Sequence, residues 1–405
     1  MKTQKLRSGY TTGTCAAAAA KAAAVMLLGG RRVQQIHIVT PKGTSVSLPL
    51  ISTVLTDNKA VCQVIKDAGD DPDVTDQTPI FASVEYGTEK WKERGDCYWQ
   101  ESETMQESET IQESETMRAP LCLAAGEGIG IVTKPGLPCP VGKPAINPVP
   151  RQMIFEAVDQ VREEYEITES LLITIWIPEG RRLAEKTFNP KLGIEGGISV
   201  LGTTGIVEPM SEAALTATIR LELHMKAVAG QKEIILTPGN YGETFIKEQL
   251  GLSLDQAVQC SNFLADTMVM AAEEGIGRIL FAGHIGKLIK AAGGVRNTHS
   301  RYGDRRMEIL WEFTEPKLPE SVDLHMIKEK ILGSNTTEEA VSFLAELGIL
   351  TEVMSEAAEA VKIHMEQWSG NRVKVEVVTF STGYGILGVS ENAKALIEEF
   401  SLAEE

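Results

Sequence analysis

Residues 232–250, KEIILTPGNYGETFIKEQL, and residues 278–294, RILFAGHIGKLIKAAGG, follow one plan. A short aliphatic run ends in a turn containing Pro-Gly or Gly-His, and a segment with helical spacing follows. Runs of this length and composition read as buried strands. Strand, polar glycine turn and helix in succession are the pattern of a parallel sheet wound with helices, whose sites form at the carboxyl ends of the strands. Working outward, SLLITIWIPEG (170–180) and GGISVLG (196–202) fit the same rhythm upstream. VKVEVVTFSTGYGILGVSENAKALIEEF (373–400) repeats it near the end.

The first half reads differently. Residues 13–28 are an alanine-rich helix, since alanine has the best intrinsic propensity. RRVQQIHIVT and GTSVSLPLIS alternate apolar and polar residues around PKG, which predicts a hairpin. Residues 59–86 add two strands around an acidic loop, and in residues 125–150 Gly126, Gly128 and Gly130 precede six prolines in a fixed, irregular loop. The expected fold class is α/β and α+β in two domains. Residues 1–190 form an N-terminal α+β domain with a mostly antiparallel sheet, and residues 191–405 a Rossmann-like domain with a mostly parallel sheet. Residues 331–405 suit either sheet. The repeat ESETMQESETIQESET within 101–117 reads as a solvated acidic insertion.

Composition excludes several function classes. A net charge of -17 argues against a general nucleic-acid binder. No stretch reads as a membrane span, and Lys2, Lys5 and Arg7 lead into TTGT rather than into a signal peptide. The six cysteines have no CxxC spacing, so neither a structural metal site nor a disulfide framework is expected, and the reading is a reduced cytoplasm. A homo-oligomer is compatible with all of this.

Chemistry concentrates in four loops: YTTGT (10–14), LGTTGIVEPMS (201–211), TPGNYGE (237–243) and AGHIGK (282–287). Glycines admit a ligand to the backbone, and helix N-termini attract negative groups. None of the four is a Walker A or GxGxxG sequence. Residues 283–306 form a basic island with Lys287, Lys290, Arg296, Arg301, Arg305 and Arg306, opposed along the chain only by Asp304. Arginine forks suit a polycarboxylate. His284 and His299 lie among these cations and are the acid–base candidates. His37, His224, His325 and His364 read as structural or surface residues, and Cys15 as a small packed residue.

Taken together, RSGYTTGTCAAAAAKAA, VTKPGLPCPVGKPAINPVPRQMI, GTTGIVEPMSEAAL, TPGNYGE and GHIGKLIKAAGG with NTHSRYGDRR resemble the CbiD family, over about residues 6–390. The ESET repeat is the main departure from the pattern. The resemblance implies methyl transfer from S-adenosylmethionine to ring carbon 1 of a cobalt-precorrin, a cobalt tetrapyrrole and polycarboxylate, in anaerobic cobalamin biosynthesis. Cobalt then travels with the substrate, and the chain needs no metal site of its own. Placed on these motifs, the candidate cofactor residues are Gly202, Thr203, Thr204, Gly205, Glu208, Ser211, Gly239, Asn240, Gly242 and Glu243. The candidate substrate residues are Thr11, Thr12, Gly13, Thr14, Lys287, Arg296, Arg301 and Arg305, with His284 or His299 as a base. A non-catalytic corrinoid-binding protein is the alternative from another class, and a phosphoryl-transfer enzyme a third reading suggested by TTGT.

Overall fold

The computed structural model describes residues 6–87, 95–100 and 119–402; the ESET repeat lies outside the described residues. The chain divides into two compact units, 1–211 and 212–405.

The first unit begins with β1 (Gly9–Tyr10) and α1 (Thr12–Gly29), then the hairpin β2 (Gln35–Val39) and β3 (Ser45–Pro49). Next come β4 (Ser52–Leu55), β5 (Lys59–Ile65), β6 (Pro79–Tyr86), β7 (Cys97–Trp99), β8 (Cys122–Ala125) and β9 (Ile131–Val132). The last elements are α2 (Pro148–Glu164), β10 (Leu171–Trp176), α3 (Gly180–Ala184), β11 (Ile194–Glu195) and β12 (Ile206–Val207). A sheet of order β4-β5-β6-β10-β8-β7 forms its centre. Only the β8–β10 pair within it is parallel.

Helix α1 lies against both α2 and strands β5 and β6. A helix enclosed on several sides must carry small side chains, and Ala16–Ala20 and Ala22–Ala24 are fully buried. Thr11 caps its first turn through a hydrogen bond from the Thr14 amide, and Gly30 ends it at φ 62°. By length and composition α1 is apolar enough to cross a membrane, but 78% of that window is buried inside the protein.

The division between units falls later than the expected 190/191. Four pairings hold residues 191–211 in the first unit. β11 pairs with β9, Ile198 and Val200 bridge to Ile129 and Ile146, and β12 pairs with β1. GGISVLG is therefore not a strand of a parallel sheet. Strand β10 belongs to the first sheet for the same reason, its neighbours being β6 and β8.

The second unit runs through α4 (Glu212–Val228), β13 (Glu233–Thr237), α5 (Asn240–Gln249), β14 (Ala257–Gln259), α6 (Leu264–Glu273), β15 (Arg278–His284) and α7 (Ile285–Ala292). It continues with α8 (Arg306–Thr314), α9 (Leu324–Leu332), α10 (Thr337–Glu346) and α11 (Leu350–Trp368), and ends with β16 (Lys374–Ser381), β17 (Gly385–Val389) and α12 (Ala393–Leu402). The sheet order is β14-β13-β15-β16-β17, parallel except for β17. Residues 331–405 thus lie in the second unit, with β16 hydrogen-bonded to β15.

Alternate residues of each strand feed two cores. Ile234, Leu236, Ile279 and Phe281 pack with α4, α6, α7 and α11. Ile235, Leu280 and Val378 pack with α5 and α12. The chain leaves β13 toward β14 on one side and returns to β15 on the other. The strand order therefore reverses between β13 and β15, where parallel sheets open a crevice at their carboxyl ends.

Candidate functional site

Two strand ends flank that reversal, Thr237 and His284. Beyond Thr237 the chain turns at Pro238 and Gly239 into α5, with open space beside the Gly239 α-carbon. The turn is tight. A β-carbon on Gly242 would stand 1.5 Å from Thr237 Oγ1. Gln259 Nε2 donates to Asn240 Oδ1 at 3.2 Å, and Glu243 sits in the first turn of α5.

His284 caps α7. Its Nδ1 accepts the Gly286 amide at 3.2 Å, and its Nε2 lies 3.1 Å from Glu338 Oε1. Because Nδ1 accepts, the neutral ring carries its proton on Nε2 and donates it to the carboxylate. Phe380 meets the ring edge-on at 5.7 Å. Lys287 Nζ donates to Pro238 O at 3.2 Å and Ser261 O at 3.5 Å, tying the turns after β13 and β14 together. Burial lowers its pKa, and burial pushes the neighbouring Cys260 thiol up to about 12. The structure thus gathers Gly239, Asn240, Gly242, Glu243, His284 and Lys287 at one edge of one sheet. Sequence reasoning missed Glu338 and the Ser381–Gly385 turn, where a Gly383 β-carbon would lie 3.5 Å from Glu338 Oε2. Glu338 sits in the first turn of α10, where an acidic residue reads as a helix-end charge.

The basic island comes apart in three dimensions. Arg301 pairs with Glu212, Arg305 with Glu312 at 3.2 Å, and Arg306 with Asp304 at 2.7 Å. Arg296 lies over the Trp368 ring at 6.0 Å. Lys290 is buried and donates to the Thr298 and Gly303 carbonyls. His299 repeats the role of His284: its Nδ1 accepts the Arg301 amide at 3.1 Å at the start of a single 3-10 turn. In both histidines the Nδ1 lone pair is taken up by a backbone amide. Of the others, His224 pairs with Glu274 and His364 stacks on Trp368.

In the first unit, Thr11, Thr12, Gly13 and Thr14 are all buried. Their polar groups hold the loop 201–207. Thr14 Oγ1 donates to Gly205 O at 2.7 Å, the Thr11 amide to the same oxygen at 3.2 Å, and the Gly13 amide to Leu201 O at 3.0 Å. Gly205, at φ 79°, has room for no side chain, since a β-carbon would meet Thr40 at 2.7 Å and Thr14 Oγ1 at 2.9 Å. The threonines form an internal clamp rather than a phosphate cradle. Glu208 pairs with Lys42, whose ammonium holds its carboxyl below the usual range. Ser211 immediately precedes α4. Gly202, Thr203, Thr204 and Gly205 therefore lie in the first unit, while 239–243 lie in the second.

Beside the clamp a cleft of about 600 Å³ opens between the β2–β3 hairpin and α2. Lys21 of α1, His37 of the hairpin, Thr203, and Gln152, Glu156 and Gln160 of α2 face it.

A family model described as CbiD matches residues 1–209, and one described as CbiD, C-terminal domain, matches residues 297–391. Among curated proteins, the cobalt-precorrin-5B C(1)-methyltransferase of Ruminiclostridium cellulolyticum is 41% identical over 93% of this chain and 90% of its own length. The protein of that name from Alkaliphilus metalliredigens is 39% identical over 98% and 95%, and that from Methanocaldococcus jannaschii 38% identical over 95% and 96%. A solved structure of a cobalamin biosynthesis protein (cbiD) from Archaeoglobus fulgidus is 23% identical, covers 74% of this chain and 84% of its own, and has a TM-score of 0.37.

Proposed function

The chain belongs to the CbiD family, and from that premise we propose its reaction: transfer of a methyl group from S-adenosylmethionine to C1 of cobalt-precorrin-5B. The observation that carries this reading is the likeness itself, which runs nearly end to end through both units at 41% identity to one named methyltransferase. No observation favours a non-catalytic corrinoid-binding protein.

S-adenosylmethionine would supply an electrophilic methyl on its sulfonium; a ring carbon attacks that methyl in line as the carbon–sulfur bond breaks and S-adenosylhomocysteine leaves. What the chain must add is position and exclusion of water. We read the second unit as a Rossmann-like domain and assign the donor to its strand-order reversal. The residues there suit it. Open ground over Gly239 admits a ligand against the backbone, the exposed Tyr241 ring offers a stacking face, and Phe380 closes the site edge-on to His284. The Glu338 carboxylate, oriented by His284, would accept from ribose hydroxyls or the donor's ammonium. Lys287 keeps the two turns in register rather than meeting the substrate.

Incubation with cobalt-precorrin-5B and trideuteromethyl-labelled S-adenosylmethionine tests the reaction. One labelled methyl on the product by mass spectrometry is the expected result, and calorimetry should show S-adenosylmethionine binding where ATP does not bind. Protein that binds the tetrapyrrole yet shows no affinity for the donor would overturn the enzyme reading in favour of the binding protein.

A further inference from the structure

We propose that the cleft of the first unit seats carboxylate arms of the tetrapyrrole, with Lys21 as its anion contact; this rests on the methyl-acceptor reading above. Lys21 is the lone charged residue of α1, a helix buried along most of its length. Lys21 itself is half-buried and lines the cleft. Its ammonium makes one long hydrogen bond, 3.5 Å to Gln160 Oε1, and no carboxylate among the described residues pairs with it. Glu156, which faces the same cleft, is instead bonded by Gln152 Nε2 at 2.7 Å. The arginines Arg301, Arg305 and Arg306, by contrast, each have a carboxylate. An ammonium with no paired carboxylate beside a cavity is what an anionic ligand would find.

The rest of the cleft fits the same ligand. Ile38, Val149, Met153 and Ala157 give it apolar walls, and Val39, 65% exposed, stands among its lining residues. A volume of about 600 Å³ is within the ordinary range of small-molecule sites, and apolar walls with few convergent polar groups are their usual character. A tetrapyrrole edge is a flat apolar surface carrying acetate and propionate arms. Thr203, held by the threonine clamp, and Lys21, carried by the helix the clamp begins, line the same cleft. Residues 11–21 thus hold the loop that brings Thr203 to the cleft and supply its ammonium.

Titration of the full-length protein with cobyrinic acid, a stable cobalt corrin polycarboxylate, tests this. Lys21→Gln should raise Kd about tenfold, the equivalent of about 1.4 kcal/mol. Glu156→Gln removes a like charge and should tighten binding roughly twofold to threefold. Ser45→Trp, which fills the cleft from an exposed hairpin position, should abolish binding. All three should leave S-adenosylmethionine affinity within about twofold by calorimetry, which also reports that the chain has folded. Wild-type corrin affinity in Lys21→Gln and Ser45→Trp overturns the cleft whatever the activity. Wild-type protein that transfers no methyl, yet loses corrin affinity with Lys21→Gln, overturns the reaction and upholds the cleft.

Discussion

Thr14→Val isolates the clamp between α1 and the loop 201–207. Thr14 is fully buried, and its hydroxyl donates to Gly205 O at 2.7 Å. Valine has nearly the same shape, so the change removes the donor and sets a methyl against the carbonyl. Gly205 O keeps the Thr11 amide, at the longer distance of 3.2 Å. That retained partner places the cost near the middle of the ~1–3 kcal/mol range for a disrupted buried hydrogen bond, at about 2 kcal/mol. The loss falls on a short pairing, Gly9–Tyr10 with Ile206–Val207, so it should appear as local opening rather than global unfolding. About 2 kcal/mol is roughly a thirtyfold rise in the opening equilibrium. Hydrogen–deuterium exchange of peptides spanning residues 200–208 in the full chain reads it directly. Thr14→Ser, which keeps the hydroxyl, should exchange much more slowly than the valine variant there. Cobyrinic acid affinity should fall with valine and recover with serine, because Thr203 lines the cleft. Exchange over 200–208 in the valine variant equal to wild type would refute the clamp.

Asp73 faces the buried ammonium of Lys66: burial pushes its carboxyl up, but Lys66 and Thr75 pull it below the usual 3.8. A lowered folded pKa gives stability that is present above about pH 4 and lost as pH falls through the folded value. Asp73→Asn should therefore cost about 3 kcal/mol at pH 7, the lower end for a broken buried pair, and flatten the acid limb of chemical denaturation; parallel pH profiles would contradict this. Gly242→Ala should lower S-adenosylmethionine affinity at least tenfold by calorimetry, since its β-carbon would collide with Thr237 Oγ1, and Thr237→Ala in the same chain should restore much of it. Arg305→Ala removes an exposed ion pair with Glu312 and should change cobyrinic acid affinity by less than about fivefold; a larger loss would return the island to the substrate site. His284→Asn keeps an acceptor for the Gly286 amide and loses the Nε2 donor, so kcat should fall less than about tenfold, whereas a general base would cost about 10²–10⁴.

The sequence showed three of the four parallel strands described in the second unit, and left Ala257–Gln259 unmarked. Residues 233–237, 278–284 and 374–381 each pair an aliphatic run with a glycine turn, because a strand buried on both faces needs that composition. The hairpin Gln35–Val39 with Ser45–Pro49 and the helix Thr12–Gly29 were equally legible, one from alternation and one from alanine. Partner choice was not. LLITIW at 171–176 has the composition of a parallel core strand, yet it pairs antiparallel with Phe81–Tyr86 and parallel with Cys122–Ala125 in the first sheet. A strand's own residues record burial, not which edge lies beside it. The same holds for the site. His284 and the turn at 237–243 stand out as glycine-rich strand ends, whereas Glu338 reaches His284 from 54 residues away and carries no local mark.

Charge shows the limit most sharply. Along the chain, residues 283–306 hold six cations against Asp304 and look like the place where a polycarboxylate binds. Lys21 looks like one solvated lysine in a run of alanines. Folding changes both. Glu212 arrives at Arg301 from 89 positions upstream, Glu312 folds back along α8 onto Arg305, and Lys290 is buried against carbonyls. A ligand would have to displace or share those partners. Lys21 is held in place by its helix, faces a cavity, and has no carboxylate partner among the described residues. What attracts an anion is not the number of cations in a stretch but the charge left uncompensated where a ligand can enter. By that measure Lys21, beside a cavity, outranks the carboxylate-paired arginines of the island, Arg301, Arg305 and Arg306.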